Sequence, residues 1–175
     1  IIRSGTPVVC SEQNPPEPIL EISAKLQAPL YLRGIDFDIV PEGGTESGLL
    51  RFAMAGRVAL VSGPSMGGRH QLDNFASALA AMVLLNPDSL EKNSEISAAN
   101  RDCRVPGRLQ RVNHSPEILL DVGHNALAAE AVAAYLQDSG RQNTICVLAM
   151  LADKSAEEVA LALGHVCGRW LCADS

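Results

Sequence analysis

Apolar residues recur along this chain in two spacings. Where they stand three and four positions apart they predict helices, and short apolar runs bounded by turn residues predict strands. The predicted helices are 16–27, 70–85, 94–100, 126–137 and 155–163. The predicted strands are 6–10, 30–33, 37–40, 57–61, 117–122, 143–151 and 169–173, with a polar, Gly-rich turn or loop over 41–48. The mixture predicts an α/β protein.

The order of elements becomes regular after a polar stretch that ends near Pro106. From 117 to 173 the pattern runs strand, helix, strand, helix, strand, which is typical of parallel pairing with right-handed crossovers and predicts the start of a Rossmann-like domain. We therefore place a domain boundary at 101–106. In such sheets ligands lie beyond the carboxyl ends of the strands. That rule points to 123–125 and 152–154 as candidate binding segments.

Composition and charge narrow the function classes. The 175 residues are 47% hydrophobic, and 14 Lys and Arg stand against 20 Asp and Glu, for a net charge of -6. This acidic balance argues against a nucleic-acid partner. No apolar run approaches the ~20 residues that span a bilayer, and no signal peptide is apparent, so we expect a cytoplasmic protein with no membrane partner.

The cysteines and the chain ends lead to two further expectations. Five scattered cysteines without a CxxC pair predict structural thiols and no metal site built from this chain. The chain begins at Ile1 without an initiator Met and stops just after a strand-like run at Ser175. We therefore expect it to be a segment of a larger protein.

Gly63-Pro-Ser-Met-Gly-Gly68 has the glycine spacing of a phosphate-binding loop. A working loop needs a following Lys and then Ser or Thr, which reach the phosphates and the magnesium. Here Arg69 and His70 follow. We do not interpret this segment as a phosphate loop.

Three other segments carry polar side chains at positions suited to binding. Asn74 lies near the start of the strongest predicted helix, where free backbone N–H groups suit a polar or anionic ligand. The alternative is that the Asn74 side chain merely faces solvent. Arg108 follows the turn Pro106-Gly107, and its guanidinium would bind phosphate oxygens or remain a solvated linker side chain. Further arginines near Arg108 make a local basic patch: Arg101, Arg104 and Arg111.

The third segment, Asp121-Val-Gly-His-Asn125, lies where a strand passes into a helix. A carboxylate at a strand end can accept hydrogen bonds from ribose hydroxyls, and the imidazole and amide that follow can hold a second substrate. The alternative is that Asp121 and Asn125 only cap the helix. Asp153-Lys154 occupies the corresponding place after the next strand, where a turn with a helix cap is the competing interpretation.

The order of these pieces resembles the bifunctional folylpolyglutamate synthase/dihydrofolate synthase family, within the Mur ligase superfamily. The resemblance covers nearly the whole chain. It rests on four motifs: the run HQLDNFASALAA at 70–81, PGRLQ at 106–110, DVGHN at 121–125 and MLADK at 150–154. Two positions depart from the family's usual pattern. Ser155 stands where many members have an acidic residue, and Gly123 stands where Ala is frequent.

The resemblance implies the end of a central ATP-binding domain over 1–100 and the first half of a Rossmann-like ligase domain over 104–175. It implies that Asn74 contacts the adenine end of ATP, that Asp121 also binds the nucleotide, and that Arg108 reaches the phosphates. His124 and Asn125 match positions near the incoming glutamate. Arg108 and His124 are thus the catalytic candidates.

The implied reaction is ATP-dependent amide formation in folate biosynthesis and one-carbon metabolism. ATP with Mg²⁺ would phosphorylate a carboxylate of dihydropteroate or a reduced folate, and L-glutamate would then displace the phosphate. The family's phosphate loop, metal ligands and modified lysine would lie upstream of Ile1, so the chain alone would be inactive. A monomer is expected. Two alternatives stay open, a Mur-type ligase of a peptidoglycan precursor and a non-catalytic nucleotide-binding module.

Overall fold

The computed structural model describes residues 1–43, 48–141 and 143–173. Two compact units make up the chain. The first comprises Ile1–Ser65 and Gln71–Cys103, and the second comprises Met66–His70 and Arg104–Ser175. The chain therefore leaves the first unit at Met66, returns to it at Gln71, and leaves it again at Arg104. Each unit is described by itself below.

The first unit begins with a parallel strand–helix–strand pair. Strands β1 (Val8–Cys10) and β2 (Leu30–Leu32) pair in parallel, and helix α1 (Glu17–Lys25) connects them. The helix carries an acidic residue in its first turn, a basic residue in its last turn and Pro at its start. All three features suit a helix, because they match the helix dipole and the unpaired N–H groups of the first turn. These elements confirm the predicted strands and helix with shorter bounds.

A three-stranded antiparallel sheet follows, in the order β3 (Phe37–Glu42), β4 (Leu49–Met54) and β5 (Arg57–Ser62). Strand β4 was not predicted. The predicted loop over 41–48 is wrong at its first two residues, because β3 continues through Pro41 and Glu42, and its residues 44–47 lie outside the described chain. In the described sheet Pro41 lies on an edge strand, where a missing N–H is tolerated.

Helix α2 (His70–Leu85) confirms the strongest helix prediction at both ends. Its buried residues pack with alternate residues of β3, β4 and β5 in one apolar cluster, which includes Phe52, Leu79 and Val61. A 3-10 turn (Pro87–Glu91) leads into helix α3 (Asn93–Asp102). Helix α3 is fixed to the end of β5, since Ser62 donates its N–H to Ser97 Oγ and the Asn100 amide donates to the Ser62 carbonyl.

The described residues of the second unit form four strands and two helices. Its elements are β6 (Gln110–His114), β7 (Glu117–Leu120), α4 (Ala126–Asp138), β8 (Thr144–Ala149), α5 (Ala156–Leu163) and β9 (Cys167–Ala173). Helices α4 and α5 pack with one face of the strands in a second apolar cluster, made of Ala129, Ala133, Leu136, Val159, Leu163 and Val166.

The strand pairing in this unit agrees only partly with the expected pattern. Strands β8 and β9 are parallel, as predicted. The hydrogen-bonded neighbour of β7 is the unpredicted β6, in an antiparallel hairpin, and β7 and β8 are not paired in the described chain. The prediction of three consecutive parallel strands is therefore wrong for the first pair. The α/β class itself is confirmed.

Candidate functional site

The carboxylate of Asp121 lies between two backbone segments of the second unit. One oxygen accepts the N–H of Leu109 at 2.9 Å, and the other accepts the N–H of Gly123 at 2.7 Å. The side chain thus joins the end of β7 to the segment that precedes β6. A carboxylate offers about four acceptor positions, so two remain for another donor such as a ribose hydroxyl. The side chain is half-buried, which leaves those positions within reach of solvent.

Arg108 lies on a turn that several hydrogen bonds fix. Its own N–H donates to the Val105 carbonyl at 3.2 Å, and the Gly107 N–H donates to the Gln110 side chain at 3.0 Å. The Val122 N–H donates to the Gly107 carbonyl at 2.8 Å, which ties the turn to the end of β7. Within the described residues the guanidinium of Arg108 has no hydrogen bond or ion pair, and the residue is exposed.

The turn needs glycine at 107. Gly107 has a φ of +70°, and a Cβ built on it would lie 2.4 Å from Cγ1 of Val122. Both the backbone conformation and the close approach exclude a larger residue without rearrangement. The sequence motif PGRLQ therefore has a structural meaning: it presents one exposed guanidinium from a rigid loop next to Asp121.

His124 and Asn125 follow at the start of α4. The Asn125 side chain accepts the Ala128 N–H at 2.9 Å, so the helix-capping interpretation is correct for its oxygen. Nδ1 of His124 lies 3.2 Å from the Val122 carbonyl. A carbonyl only accepts, so Nδ1 is the donor in this contact, and in the neutral ring with this tautomer Nε2 is an acceptor. Both residues are exposed.

Asn74 is in the first unit, as the fifth residue of α2. Its amide donates to the side-chain oxygen of Gln71 at 3.2 Å, and the residue is exposed. The neighbouring Asp73 forms an ion pair with Arg33, whose guanidinium also contacts Asp38. These ion pairs connect the start of α2 to the segment that follows β2. Sequence reasoning missed this connection.

The remaining sequence candidates have structural partners. Asp153 and Lys154 pair at 3.0 Å in the turn after β8. Ser155, one of the two departures from the family pattern, caps α5 by accepting the Glu158 N–H at 3.3 Å. Arg69, which follows the glycine-rich segment, makes two hydrogen bonds to the Asp138 carboxylate, both at 2.9 Å. Its guanidinium is thus engaged by a carboxylate.

The basic patch is also partly neutralised, by a residue that sequence reasoning missed. Glu117 accepts two hydrogen bonds from Arg141, at 2.6 and 2.7 Å, and pairs with Arg111 at 2.8 Å. The hydrogen bonds from Arg141, together with the charges of Arg141 and Arg111, lower the pKa of Glu117. The charge of Arg111 is therefore partly offset by Glu117, a carboxylate that it shares with Arg141, whereas Arg108 has no carboxylate partner among the described residues.

The described residues contain no cluster of three or more His, Cys, Asp or Glu side chains that would hold a metal ion. Nor does any helix in the described ranges have the length and apolar character needed to traverse a lipid bilayer.

Comparison with protein families and curated proteins shows that the chain is similar to ligases. Residues 107–175 match the family model described as Mur ligase, glutamate ligase domain. The dihydrofolate synthase/folylpolyglutamate synthase of Escherichia coli strain K12 is 28% identical over 99% of this chain, which corresponds to 39% of that protein. The chain thus spans about two fifths of the length of this curated relative.

Solved structures show the same similarity. E. coli FolC in complex with ADP matches with a TM-score of 0.81 and 26% identity, over 98% of this chain and 40% of that one. A bifunctional folylpolyglutamate synthase/dihydrofolate synthase with Mn, AMPPNP and L-glutamate bound matches with a TM-score of 0.77 and 26% identity, over 98% of this chain and 39% of that one. The mixed α/β architecture of the chain is similar to that of these solved structures.

Proposed function

We propose that this chain, whose residues 107–175 match the family model described as Mur ligase, glutamate ligase domain, provides nucleotide- and glutamate-binding groups of a dihydrofolate synthase/folylpolyglutamate synthase. One observation carries the proposal. The exposed guanidinium of Arg108 stands on a turn fixed to the carboxylate of Asp121 through the Leu109 N–H. A cation with no partner among the described residues, on a turn whose backbone is hydrogen-bonded to a carboxylate with spare acceptor positions, suits the phosphates and ribose of a nucleotide.

The proposed reaction has two steps. A carboxylate oxygen of dihydropteroate, or of the glutamyl tail of a reduced folate, attacks the γ-phosphorus of ATP. The bond between the γ-phosphorus and the bridging oxygen breaks, so that ADP departs and an acyl phosphate is formed. The amine of L-glutamate then attacks the acyl carbon, phosphate leaves with the electron pair of the carbon–oxygen bond, and the amine proton goes to a base or to water. The products are an amide, ADP and phosphate.

In this scheme Arg108 offsets the negative charge of the transferred group. Bidentate guanidinium–phosphate contacts combine charge with fixed geometry, and removal of one such group typically costs a factor of ~10²–10³ in turnover. The rigid Pro106-Gly107 turn limits the positions that the Arg108 side chain must search. Asp121 and Asn74 contact the nucleotide, Asp121 through its two remaining acceptor positions and Asn74 through its exposed amide.

His124 and Asn125 hold the incoming glutamate. With its proton on Nδ1, His124 presents Nε2 as an acceptor, which suits the glutamate ammonium or the proton that it loses. The Asn125 oxygen caps α4, and its NH₂ group stays available to donate to a glutamate carboxylate. The N-terminus of α4 adds a favourable partial positive charge for that carboxylate.

ATP is the phosphoryl donor, and Mg²⁺ would screen its phosphates when bound. The family resemblance implies that the ligands of this ion lie outside this chain, and the described residues contain no cluster of three or more His, Cys, Asp or Glu side chains. We therefore assign no step of this chain to the metal, and we place its ligands in another part of the protein. We expect that protein to act in the cytoplasm.

Substrate dependence of ATP use tests the proposal. The protein expressed from the complete reading frame that encodes the chain should release ADP only when L-glutamate and either dihydropteroate or tetrahydrofolate are present. ADP release that instead requires a cell-wall peptide precursor would assign the chain to the peptidoglycan branch of the superfamily. Saturable ADP binding without turnover on any of these substrates would leave a non-catalytic nucleotide-binding module.

A further inference from the structure

The polar side chain of Gln71 is buried near the start of α2, with only 5% of the residue exposed. Among the described residues, Gln71 and Ser23 are the two buried polar ones. The proposed function gives Gln71 no role. Burial of an amide costs free energy unless its groups are hydrogen-bonded, so the partner of the Gln71 side chain indicates what that side chain does.

The partner of Gln71 is the amide of Asn74. Oε1 of Gln71 accepts an N–H of Asn74 Nδ2 at 3.2 Å, and the two side chains meet because residues three apart in a helix share a face. Asn74 is exposed, and within the described residues its Oδ1 accepts no hydrogen bond. The buried side chain thus holds one N–H of the exposed amide and leaves its oxygen and its other N–H for a ligand.

The backbone that carries this pair is also fixed within the first unit. Asp73 precedes Asn74 and forms an ion pair with Arg33, whose Nε donates to Asp38 on β3 at 3.3 Å. The Arg33 side chain is 14% exposed, so it lies mainly against the protein. These contacts join the first turns of α2 to the segment between β2 and β3. The position of Asn74 is therefore set by the unit that contains it.

An amide of fixed orientation distinguishes the two purine bases. Adenine presents an amino donor at C6 beside a ring-nitrogen acceptor, an edge that pairs with the oxygen and one N–H of an Asn amide. Guanine presents an oxygen acceptor at C6 beside a ring N–H donor, which is the opposite order. Rotation of the Asn74 amide by 180° would match guanine, but it would also turn Oδ1 toward Oε1 of Gln71, where two acceptors repel.

We propose that Gln71 is a positioning residue, which holds the Asn74 amide in the orientation that accepts the adenine amino group and donates to the adjacent ring nitrogen. Gln71 thereby sets the preference for adenine over guanine nucleotides. This inference rests on the proposed function, because it requires that Asn74 contact the base of the nucleotide. Gln71 itself does not touch the nucleotide and acts through Asn74.

Nucleotide selectivity tests the inference in the protein from the complete reading frame. Gln71→Met keeps an unbranched side chain of similar volume and helix propensity, and removes the acceptor. By isothermal titration calorimetry it should weaken ADP binding about five-fold, the effect of one hydrogen bond, without weakening GDP binding. Ser77→Ala is the matched control. It removes a hydroxyl that donates to the Asp73 carbonyl at 3.0 Å on the same helix, and both affinities should stay unchanged.

A double-mutant cycle separates positioning from a general structural effect. Asn74→Ala should lower the affinity for ADP at least about five-fold, and Gln71→Met should have no further effect in that background. A role in the fold alone would instead weaken ADP binding equally in both backgrounds. Urea unfolding checks that each variant is folded, and Gln71→Leu, which also lacks an acceptor, replaces Gln71→Met if that variant is not.

The inference and the proposed function can fail separately. A wild-type protein that binds neither ADP nor GDP would remove the proposed function, and this inference with it. If wild type prefers ADP, an undiminished preference in Gln71→Met, or additive losses in the double variant, would overturn the inference alone. Equal affinity of wild type for ADP and GDP would also overturn it, because the orientation of Asn74 would then select no base.

Discussion

The carboxylate of Asp121 accepts the backbone N–H of Leu109 at 2.9 Å, across twelve positions of sequence. Leu109 follows Arg108 directly, so the residue predicted to bind the nucleotide also anchors the residue predicted to reach its phosphates. The φ of Leu109 is +43°, an uncommon conformation for a side chain of this kind, and the hydrogen bond to Asp121 helps to hold it. The candidate site is thus one connected unit between the PGRLQ and DVGHN motifs.

Asp121→Asn should destabilise the second unit. An amide has one acceptor oxygen and one donor group, so one of the two N–H groups that Asp121 binds would face another donor. We expect the free energy of unfolding to fall by about 1–3 kcal/mol. Urea unfolding followed by the fluorescence of Trp170, the single tryptophan of the chain and part of the second unit's core, measures this. His124→Ala, at an exposed position, is the control, and its free energy of unfolding should lie within about 0.5 kcal/mol of the wild-type value. Equal stability of Asp121→Asn and wild type would contradict the anchoring role.

Gly107→Ala should be more destabilising than the same change at Gly140. Both glycines have positive φ, +70° and +67°, so both alanines carry a backbone penalty of about 1–2 kcal/mol. Only at 107 would the new Cβ also meet Val122, which adds about 1–3 kcal/mol for overpacking. The double variant Gly107→Ala/Val122→Ala should recover part of the loss, because it removes the clash and leaves the backbone penalty. Trp170 fluorescence in urea reports all three, and equal losses at 107 and 140 would show that the close approach is unimportant.

The strongly periodic elements could be predicted from the sequence, and the elements that depend on distant pairing could not. Helix α2 has apolar residues at helical spacing along its whole length, and its bounds were predicted correctly. Strand β4 alternates from Leu50 to Met54, with Leu50, Phe52 and Met54 buried, but the apolar Leu49 and Ala53 on the more exposed face weaken this signal in the sequence. It is a strand because β3 and β5 pair on both of its sides. Strand β6 is exposed throughout and polar apart from Val112, and only its partner β7 makes it a strand.

The same distinction between local pattern and distant contacts applies to the candidate site. The residues that face solvent, Arg108, His124 and Asn74, were predicted from their motifs. The interactions that position them were not, because a hydrogen bond such as that from Leu109 to Asp121 joins residues far apart in sequence. Gln110 illustrates the limit. It belongs to the PGRLQ motif, yet its contact with the Gly107 N–H is apparent only in the structure.

Acid should weaken the second unit in part through Glu117. The hydrogen bonds and charge of Arg141, with a smaller contribution from Arg111, lower the pKa of Glu117 below its ordinary value of 4.5. A carboxyl whose pKa is lower in the folded state stabilises the fold above its unfolded pKa, and this stabilisation is lost as pH falls through the folded pKa. The stability of wild type should therefore decline as pH falls below about 4.5. Glu117→Gln and Arg141→Gln should each flatten this decline in urea titrations at several pH values, and identical pH profiles for all three proteins would contradict the prediction.

Cysteine alkylation should follow exposure and thiolate content. Burial, and to a smaller degree the neighbouring Cys167, raises the pKa of Cys146 to about 11, whereas Cys103 and Cys172 are exposed. The thiolate is the reactive form, so iodoacetamide at pH 8 should modify Cys103 and Cys172 well before Cys146. Labelling of Cys146 should accelerate as pH approaches 11, or in urea at pH 8. Peptide mass spectrometry measures each rate, and equal rates for Cys146 and Cys172 in the folded chain at pH 8 would show that Cys146 is not shielded.

The most direct test of the central claim is the glutamate-dependent release of ADP by the protein from the complete reading frame, in wild type and in Arg108→Ala. Arg169→Ala, an exposed arginine on β9, is the control for loss of a positive charge. Our account predicts ADP release that requires both L-glutamate and a pteroate or folate substrate, a fall in turnover of at least ~100-fold in Arg108→Ala, and little change in Arg169→Ala. Near wild-type turnover in Arg108→Ala, or ADP release that is independent of glutamate, would contradict it.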